Sequence, residues 1–490
     1  MRREVAFPVG GFLPEPSEET VHEPARDVPV IADVDVCVLG GGTTGVCAAV
    51  AAARAGASVL LVEHYGFLGG MATSSMVLIW HSFYGMDHQT KVIGGLPDEI
   101  IARLRALDGV YNASDDDTAH WVIDADKTRF VLDDFVLADG VKLLLHSKLV
   151  GAIRDGRCLT AALVETKSGR GAIRARTFID GTGDADLVRF AGGQTEVGDR
   201  SGGCQAPSLC FRLRNVDQSQ TGLDVVQAKL YALTMDYNGG KYPPLLWGVR
   251  WPGCEDVMLA GTRVLDVNCA DALSLTRAEI EGRYQLRWFL REARKLPGWE
   301  QAELVGMGVQ IGLRESHRIL AEHQLQRDEV LQGVRFADAI GQGTYPVDIH
   351  NPSGPGIIFE QLDGIRREVK GDRTMIQDRW DGAAPDAPTR DTLCYQIPYR
   401  SLIPCDFDNV LVGGRCCGAT HEAAGAIRVM VNCMQTGQAA GLAAALSGSD
   451  VREVAVEELQ GRLRELGMPL PFPSPERRIE ESRDVSGRGF

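Results

Sequence analysis

The sequence predicts an α/β fold in which a parallel sheet carries helices on both faces and an α+β region is inserted between its strands. A strand, a glycine turn, a helix and a second strand follow one another over residues 34–62. Two further apolar segments end in glycine-containing turns near residues 180 and 413, and charged helix-like runs with Gly- and Pro-rich loops separate them. The strand–helix–strand order favours parallel pairing, because parallel strands need a crossover connection.

The first unit of this fold begins after an irregular, Pro- and Glu-rich lead-in over residues 1–32. Residues 34–39 are apolar and β-branched, which predicts a strand. Residues 46–55 are rich in alanine and stop before a glycine, which predicts a helix. Residues 58–62 predict the second strand, and Glu63 lies at its carboxyl end.

Later segments extend the sheet and supply the inserted region. Apolar stretches predict strands, and runs of charged or small residues predict helices. The predicted strands are 141–150, 161–166, 172–179 and 409–412, with a hairpin-like turn around Asp155 and Gly156. The predicted helices are 274–295, 315–331, about 422–446 and a charged helix after 450 that leads into a polar tail ending at 490.

Composition excludes several classes of protein. The 490 residues are 44% hydrophobic and 24% charged, which is typical of globular proteins and excludes global disorder. The net charge of -15 repels phosphate backbones, so nucleic acid is not an expected partner. No apolar stretch of signal-peptide length follows the first residues, and the most apolar window, 46–62, is interrupted by Arg54, Gly56 and Ser58. We therefore expect a cytoplasmic protein without a membrane partner.

The twelve cysteines are scattered and contain no CxxC pair. Zinc and iron–sulfur sites need clustered thiolates, so no metal site is expected. Dithiol relay chemistry is not expected either. The adjacent Cys416 and Cys417 are interpreted as two small buried thiols, with a vicinal disulfide as the alternative.

The glycine turn of the first unit indicates a nucleotide site. Gly40, Gly42 and Gly45 match GxGxxG, in which the glycines permit a tight turn, close approach to a pyrophosphate and close helix packing. The helix N-terminus offers free N–H groups to phosphate, and Glu63 can accept both hydroxyl hydrogens of a ribose. The structural alternative is an ordinary βαβ unit with a tight turn. The unit does not separate NAD from FAD, whereas Glu63 disfavours the 2′-phosphate of NADP.

A second glycine-rich loop, Gly66-Phe-Leu-Gly-Gly-Met-Ala-Thr73, follows the acid and resembles the flavoprotein superfamily related to glutathione reductase and fumarate reductase. More specifically, the chain resembles the FAD-dependent oxidoreductase family, and the similarity extends over nearly its whole length. The matching segments are 63–73, 179–186 (IDGTGDAD), 312–316 (GLRES), 345–350 (YPVDIH), 397–404 (IPYRSLIP), 409–415 (NVLVGGR) and 420–430 (THEAAGAIRVM).

The resemblance implies FAD as the cofactor and assigns residues to it. It places the backbone of residues 149–150 at the adenine, residues 181–184 at the edge of the nucleotide and residues 413–415 at the ribityl chain. The helix after Thr420 is expected to direct its N-terminus at the pyrimidine edge of the flavin, where its dipole stabilises negative charge. The implied FAD-binding residues are Gly40, Gly42, Thr43, Thr44, Gly45, Glu63, His64, Gly69, Gly70, Met71, Ala72, Thr73, Leu149, Val150, Gly181, Gly183, Asp184, Gly414, Arg415, Gly425, Ala426 and Ile427.

Two departures from the wider superfamily are visible. Thr43 and Thr44 stand where such turns often carry Pro and Ala, and Arg415 replaces an acidic residue near the ribityl hydroxyls. No second GxGxxG unit follows a strand, so a built-in NAD(P)H domain is not expected. Noncovalent FAD is expected, although His64 and His81 keep a covalent link open.

The chemistry needs a substrate anchor and a group that moves a proton. An arginine can clamp a carboxylate and a histidine can carry a proton, which favours the cluster around Arg314 and His317. A structural Arg–Glu pair is the alternative there, and backbone or interface contacts are the alternative for the Tyr–Arg pair at 399–400. His421 begins the flavin-facing helix, and a neutral hydrogen-bonding role is expected for it. The candidate catalytic residues are Arg314, His317, His350, Tyr399 and His421.

The sequence therefore predicts an FAD-dependent dehydrogenase or reductase that exchanges hydride between a small organic molecule and flavin N5. A redox-neutral flavoenzyme, a nonenzymatic flavin-binding protein and an NAD-dependent dehydrogenase are the alternatives. An unknown electron donor or acceptor is the second partner, and a homo-oligomer stays open. The predicted division is an FAD domain (33–80, 125–195 and 391–448), a substrate domain (81–124 and 196–390), an N-terminal extension (1–32) and a C-terminal helix and tail (449–490).

Overall fold

The computed structural model describes residues 11–15, 17–113, 120–238, 245–383 and 393–470. Its strands are β1 (Val30–Leu39), β2 (Val59–Val62), β3 (Ile79–Trp80), β4 (Val110–Asn112), β5 (Trp121–Ile123), β6 (Lys142–Leu144), β7 (Lys148–Asp155), β8 (Cys158–Thr166), β9 (Gly169–Asp180), β10 (Thr195–Val197), β11 (Cys210–Arg214), β12 (Trp247–Arg250), β13 (Val257–Ala260), β14 (Glu303–Met307), β15 (His317–Ile319), β16 (Ala339–Gly343), β17 (Val347–His350), β18 (Ile357–Glu360), β19 (Ile365–Val369), β20 (Met375–Arg379), β21 (Tyr395–Pro398) and β22 (Val410–Val412). Its α-helices are α1 (Thr43–Arg54), α2 (Met71–Ser74), α3 (Leu96–Ala106), α4 (Ala125–Ala138), α5 (Asp186–Phe190), α6 (Leu223–Asn238), α7 (Ala272–Ala293), α8 (Arg327–Gln332), α9 (His421–Ile427), α10 (Met430–Leu446) and α11 (Val456–Glu465). Short 3₁₀ helices lie at Tyr399–Leu402, Gly414–Cys416 and Val451–Glu453.

The main sheet has the strand order β6–β2–β1–β9–β8–β7, and β22 also pairs with β9. The pairs β1–β2, β1–β9, β2–β6 and β9–β22 are parallel. Strands β7, β8 and the first part of β9 form an antiparallel meander. This sheet confirms the predicted α/β fold, and the glycine turns that follow β1, β9 and β22 lie at the carboxyl ends of neighbouring parallel strands.

Alternating side chains of β1 bury both faces of the main sheet. Val36 and Val38 belong to the apolar core that includes the alanines of α1 and α10. Cys37 and Leu39 belong to a second core on the opposite face, which the β7–β8 hairpin and α5 help to form. Burial on both faces explains why residues 36–39 read as a continuous apolar run.

The inserted region lies between β9 and β22 in the sequence and is built mainly from antiparallel sheets. One sheet has the order β12–β13–β11–β14, and another has the order β17–β18–β19–β20. Helix α7 packs on the first of these through aromatic contacts, with the rings of Phe211 and Phe289 5.3 Å apart and those of Phe289 and Trp299 6.1 Å apart. Strand β17 of the second sheet carries functional candidates that are described below.

The predicted helix at 315–331 is wrong. Residues 317–319 form β15, which pairs with β10, and only α8 near the end of the segment is helical. Two charged residues of this segment do not lie on a solvated helix face, since Glu315 and Arg318 form an ion pair of 2.7 Å with side chains at most 2% exposed. Periodic charge predicts a solvated helix only when those charges face water.

Two other predicted elements are each divided. The strand at 141–150 becomes β6 and β7, because His146 has a φ of 54° and its N–H, like that of Ser147, bonds to the segment after β2. The helix at 422–446 becomes α9 and α10, since Val429 has an extended conformation (φ -66°, ψ 145°). Beside that break, Arg428 Nη2 lies 2.8 Å from Asp348 Oδ2, so a tertiary ion pair lies where the helix ends.

The ends of the chain are described only in part. Residues 1–10 and 16 of the predicted extension, and residues 471–490 of the predicted tail, lie outside the described residues. The domain boundaries stay predictions. Within the described ranges, no helix is both long and apolar enough to cross a membrane.

Candidate functional site

Two glycines of the first glycine turn are packed so closely that they cannot carry side chains. Gly40 has a φ of 98°, and a Cβ there would lie 2.5 Å from the carbonyl oxygen of Gly181. A Cβ on Gly45 would lie 1.8 Å from the carbonyl oxygen of Gly40. Gly42 caps α1 without a side-chain hydrogen bond, so the first N–H groups of the helix are available to an anion.

Glu63 and the second glycine loop close around this turn. Glu63 is 4% exposed, and its carboxylate accepts hydrogen bonds from the N–H groups of Gly41 at 2.6 Å and Tyr65 at 2.8 Å. The backbones of Gly42 and Gly69 pair directly. The two glycine-rich segments are close in the sequence and in space. They therefore form one glycine-lined backbone surface at the carboxyl ends of β1 and β2.

A third segment, residues 181–184, continues this surface after β9. Asp180 is fully buried beneath it, and burial raises its pKa to about 6. The carboxylate of Asp184 lies 2.6 Å from Arg415 Nη2 and also accepts a hydrogen bond from the Ser316 hydroxyl. Arg415 is thus held by an acid and donates a further bond of 2.9 Å to the carbonyl of Leu313.

The segment after β22 is pressed against α1. Gly414 has a φ of 84°, and a Cβ there would lie 2.5 Å from Thr44 Oγ1. Its N–H donates to Thr436 Oγ1 of α10 at 2.9 Å. Residues 413–415 therefore join the nucleotide turn to the C-terminal helices.

Helix α9 begins with a cap and a buried polar chain. The Thr420 hydroxyl accepts a hydrogen bond from the N–H of Ala423. His421 Nδ1 lies 3.0 Å from Glu315, whose carboxylate also contacts Arg318 at 2.7 Å and accepts the N–H of Gln205 at 2.6 Å. Because a carboxylate only accepts hydrogen bonds, the proton of the His421 ring is assigned to Nδ1.

Strand β17 lies directly against α9 and carries a buried polar cluster. A Cβ on Gly425 would lie 2.8 Å from the carbonyl oxygen of Asp348. Around the Asp348 carboxylate are Tyr345 Oη at 2.9 Å, Arg428 Nη2 at 2.8 Å and His350 Nε2 at 3.3 Å. Burial opposes the ionisation of Asp348, but His350, Arg428 and Arg314 together hold its pKa below the usual carboxyl range.

Two more arginines complete this cluster. Arg263 Nη2 donates to His350 Nδ1, so the proton of the neutral His350 ring lies on Nε2 and faces Asp348. Burial lowers the pKa of His350 well below its usual range and that of Arg263 to about 9. Burial and the nearby Arg428 lower the pKa of Arg314 to about 10. We call Arg263, Arg314, Arg428, Asp348 and His350 the β17–α9 cluster.

The sequence profile of the FAD dependent oxidoreductase family matches residues 35–463. The chain belongs to this family. It is an oxidoreductase, and FAD is its cofactor. Comparison with curated protein sequences finds no significant match.

Solved structures that resemble this FAD-dependent oxidoreductase do so remotely. A geranylgeranyl bacteriochlorophyll reductase-like protein from Thermoplasma acidophilum has 14% identity and a TM-score of 0.41, covering 92% of this chain and 84% of its own. A variant of a flavin-dependent brominase has 12% identity and a TM-score of 0.44, covering 88% and 84%. An anhydrotetracycline hydroxylase from Streptomyces rimosus has 13% identity and a TM-score of 0.42, covering 92% and 72%.

The glycine turns, Glu63 and the N-terminus of α9 are arranged in a way that fits FAD. Gly42, Gly69 and Gly70 carry no side chains, so a pyrophosphate can approach their backbone closely. Glu63 lies at the carboxyl end of β2, where it can accept ribose hydroxyls, and the N-terminus of α9 lies beyond residues 413–415. When bound, FAD supplies redox chemistry. Each FAD-binding assignment nevertheless stays a prediction.

The remaining predicted FAD residues fall in several environments. Thr43 and Thr44 are buried in the first turn of α1, and Met71, Ala72 and Thr73 form the short helix α2 after Gly70. Leu149 and Val150 follow Lys148, the first residue of β7, and the N–H of the preceding Ser147 donates to the Glu63 carbonyl. His64 is half-exposed beside Glu63. Ala426 accepts a hydrogen bond from the Tyr395 hydroxyl, and Ile427 is buried at the end of α9.

The structure brings together only some of the predicted catalytic residues. Arg314 and His350 belong to the β17–α9 cluster, and His421 lies at the start of α9. His317 lies on β15, bonded to Thr195, outside the cluster. The Tyr399 hydroxyl donates to the carbonyl of Val451, which is the structural role that the sequence left as its alternative.

Sequence reasoning missed several members of the site. Asp348 and Arg428 lie inside the quoted segments YPVDIH and GAIRVM, so a search of those segments for charged residues could have found them. Arg263 and Gln205 lie in stretches without a recognisable motif. Among the described residues, no group of His, Cys, Asp and Glu side chains is arranged to hold a metal ion.

Proposed function

We propose that this oxidoreductase transfers a hydride between a small organic substrate and N5 of the flavin, and that the substrate binds beside the β17–α9 cluster. The observation that carries the proposal is the direct packing of β17 on α9. That packing brings the arginines and Asp348 against the helix that family resemblance assigns to the flavin. Cofactor chemistry and substrate anchors would thus share one wall of the site.

His421 is the residue that we propose to take up or return the proton. Oxidation of a CH–OH or CH–NH group releases one hydride and one proton, and the proton needs an acceptor. With its proton on Nδ1 toward Glu315, a neutral His421 ring keeps a lone pair on Nε2. His350 is unsuited to that role, because Arg263 occupies its Nδ1 and its Nε2 carries the proton.

Glu315 is proposed as the positioning residue for His421. Its carboxylate is 1% exposed and is itself held by Arg318 and by the N–H of Gln205. A base oriented by a third, fixed group is the usual arrangement in proton-transfer sites. Arg314 and Arg428 would anchor the substrate by charge-assisted hydrogen bonds.

The test begins with anaerobic mixing of purified, FAD-loaded protein with small acids, alcohols and amines. We expect one class to bleach the flavin absorbance, and its analogue deuterated at the reacting carbon to bleach it more slowly. The deuterium effect identifies cleavage of the C–H bond as a rate-limiting step. If no compound of the panel bleaches the oxidised flavin and none reoxidises the dithionite-reduced flavin, the redox-neutral and nonenzymatic alternatives replace hydride transfer.

The role of His421 is tested by His421→Gln. The bleaching rate is expected to fall by about 100-fold or more, as is usual when a general base is removed. The bound FAD per chain should stay unchanged. His22→Gln is the matched control, because His22 is exposed in the N-terminal segment. Equal loss in both variants, or no loss in His421→Gln, would exclude His421 as the base.

A further inference from the structure

The β17–α9 cluster contains more positive than negative charge. Arg428 pairs with the carboxylate of Asp348 at 2.8 Å, and Arg263 and Arg314 interact with it electrostatically; Asp348 is 3% exposed. His350 and Tyr345, the other titratable groups that touch this carboxylate, are both neutral, since burial lowers the pKa of His350 and raises that of Tyr345. The chain as a whole has a net charge of -15, so a local excess of buried cations runs against its general composition.

This excess is not removed by neighbouring acids. Glu315 is engaged by Arg318 and His421, and Asp184 by Arg415. The described hydrogen bonds of Arg314 go to the carbonyl of Ala206 and the Ser208 hydroxyl, which carry no charge. Buried charges are normally paired, because the removal of a charged side chain from water into a protein interior costs roughly several kcal/mol per ion. Among the described residues, the cluster therefore has two more cationic than anionic side chains, and binding of an anion there is favoured.

Two buried donors in the same region have no acceptor among the described residues. They are Nε of Arg428 and Nε2 of Gln205. Gln205 is linked to the cluster, because its Oε1 accepts the N–H of His350 at 3.1 Å. A buried donor without a partner is destabilising, so a ligand that supplies an acceptor is favoured there.

Two residues of the β17–α9 cluster are partly exposed. The side chains of Arg428 and His350 are 13% and 11% exposed, whereas those of Asp348 and Arg318 are at most 4% exposed. The accessible part of the cluster thus belongs to a cationic and a neutral residue, and its only carboxylate is shielded. Guanidinium groups match the planar geometry of a carboxylate with two parallel hydrogen bonds.

We infer that the substrate of this enzyme is a small carboxylate, whose carboxyl group binds Arg314 and Arg428 with Gln205 as an additional donor. The inference rests on the proposed function, since it names the substrate class of the same site. With three arginines against one aspartate, a dicarboxylate balances the charge of the cluster better than a monocarboxylate. Neutral substrates of the same size should bind poorly, because they leave the cations unpaired.

The test measures binding rather than turnover. Oxidised, FAD-loaded protein is titrated calorimetrically with succinate, acetate, succinamide and inorganic phosphate. We expect succinate to bind more tightly than acetate, and succinamide to show no binding. Phosphate binding more tightly than succinate would overturn the carboxylate assignment in favour of a phosphorylated ligand. Absence of binding by both carboxylates would overturn the inference outright.

Two variants and a control locate the binding. Gln205→Glu keeps the size and the acceptor oxygen but adds a negative charge, so succinate should bind at least about 10-fold more weakly. Arg428→Lys keeps the charge but removes the Nε donor and the fork, and a loss of about 10-fold is expected. Arg462→Gln removes one exposed positive charge on α11 and should leave binding unchanged. Thermal melting of each variant shows whether it folds. If Gln205→Glu and Arg428→Lys do not fold, the titration of the wild-type protein decides the inference.

The outcomes separate this inference from the proposed function. Carboxylates that bind but never bleach the flavin support the binding site and contradict hydride transfer from those compounds. A neutral compound that bleaches the flavin, together with no carboxylate binding, supports hydride transfer and overturns the inference. A third outcome is a shifted flavin reduction potential in Arg428→Lys with unchanged succinate affinity. It would mean that the arginines stabilise the negative charge of the reduced flavin, and it would overturn the inference.

Discussion

At the residue scale, Asp180 shows how burial and hydrogen bonding compete. Its carboxylate accepts bonds from the N–H and hydroxyl of Thr182 and from the N–H groups of Leu187 and Val188. These bonds favour the charged form, but complete burial outweighs them and raises its pKa from 3.8 to about 6. The residue therefore holds the turn over residues 181–184 while it titrates well above an ordinary aspartate.

This shift predicts a pH dependence of stability. The folded protein binds the Asp180 proton more tightly than the unfolded chain does. Proton binding by Asp180 therefore makes its full contribution to the free energy of unfolding below pH 3.8, and this contribution is lost as pH rises through about 6. Asp180→Asn cannot ionise, so its free energy of unfolding should fall less between pH 4 and pH 7, by up to about 3 kcal/mol. Urea unfolding at both pH values measures this difference. Parallel pH curves for the two proteins would contradict it.

Individual residues differ in how far the sequence revealed them. Glu63 and the glycines of the first turn follow a spacing whose physical reasons are local, so sequence was sufficient to find them. Arg263 and Asp348 are 85 positions apart, and the ring of His350 links them. No local pattern encodes that meeting, because it depends on how β17 packs in the folded chain.

At the element scale, α1 and α10 pack backbone against backbone. A Cβ on Gly437 would lie 2.3 Å from the carbonyl oxygen of Thr44, and one on Gly441 would lie 2.1 Å from that of Ala48. The alanines and glycines of both helices are buried there. This contact holds α10 against the helix whose N-terminus faces the expected pyrophosphate.

Gly441→Ala should separate these helices. Helix propensity alone would favour alanine by about 1 kcal/mol, but a clash with rigid backbone costs more, typically about 1–3 kcal/mol. We expect a lower melting temperature and weaker FAD binding. Gly448→Ala is the matched control, since a Cβ there meets nothing within 4 Å. If both variants melt at the same temperature, the close packing is not what stabilises this pair.

The elements that sequence mispredicted share one cause. In 315–331, Arg318 donates to the distant carbonyls of Gly198 and Ala419, and at the division of 422–446, Arg428 pairs with the distant Asp348. Local periodicity cannot register such contacts. By contrast, β1, α1, β8, β9 and α7 were predicted closely, because their apolar or amphipathic patterns are continuous.

At the scale of the whole molecule, the expected FAD site gathers segments from both ends of the chain. Residues 40–45, 63–70, 181–184 and 413–415 meet through hydrogen bonds and glycine contacts. A ligand that contacts all of them links parts of the fold that are otherwise separated by the inserted region. Its binding should therefore stabilise the entire molecule.

Removal of FAD is expected to lower the melting temperature of the protein. Added FAD at 100 times its Kd should restore about 2.7 kcal/mol, since it binds only the folded state. Riboflavin lacks the pyrophosphate and adenosine that residues 40–45 and 63–70 would hold, so it should restore less. Thermal melting of apoprotein with each compound makes the comparison. Equal stabilisation by both compounds would contradict the assignment of the glycine turns to the dinucleotide half.

The sequence by itself determined the α/β fold, the glycine turn, the terminal acid of β2 and, through family resemblance, FAD. These features depend on local spacing and on the backbone freedom of glycine, which a linear pattern records. Tertiary structure alone decided that Arg263, Arg314, Arg428, Asp348 and His350 form one cluster against α9. The physical reason is that charges from separate strands and helices acquire their partners and their pKa values only when folding removes them from water together.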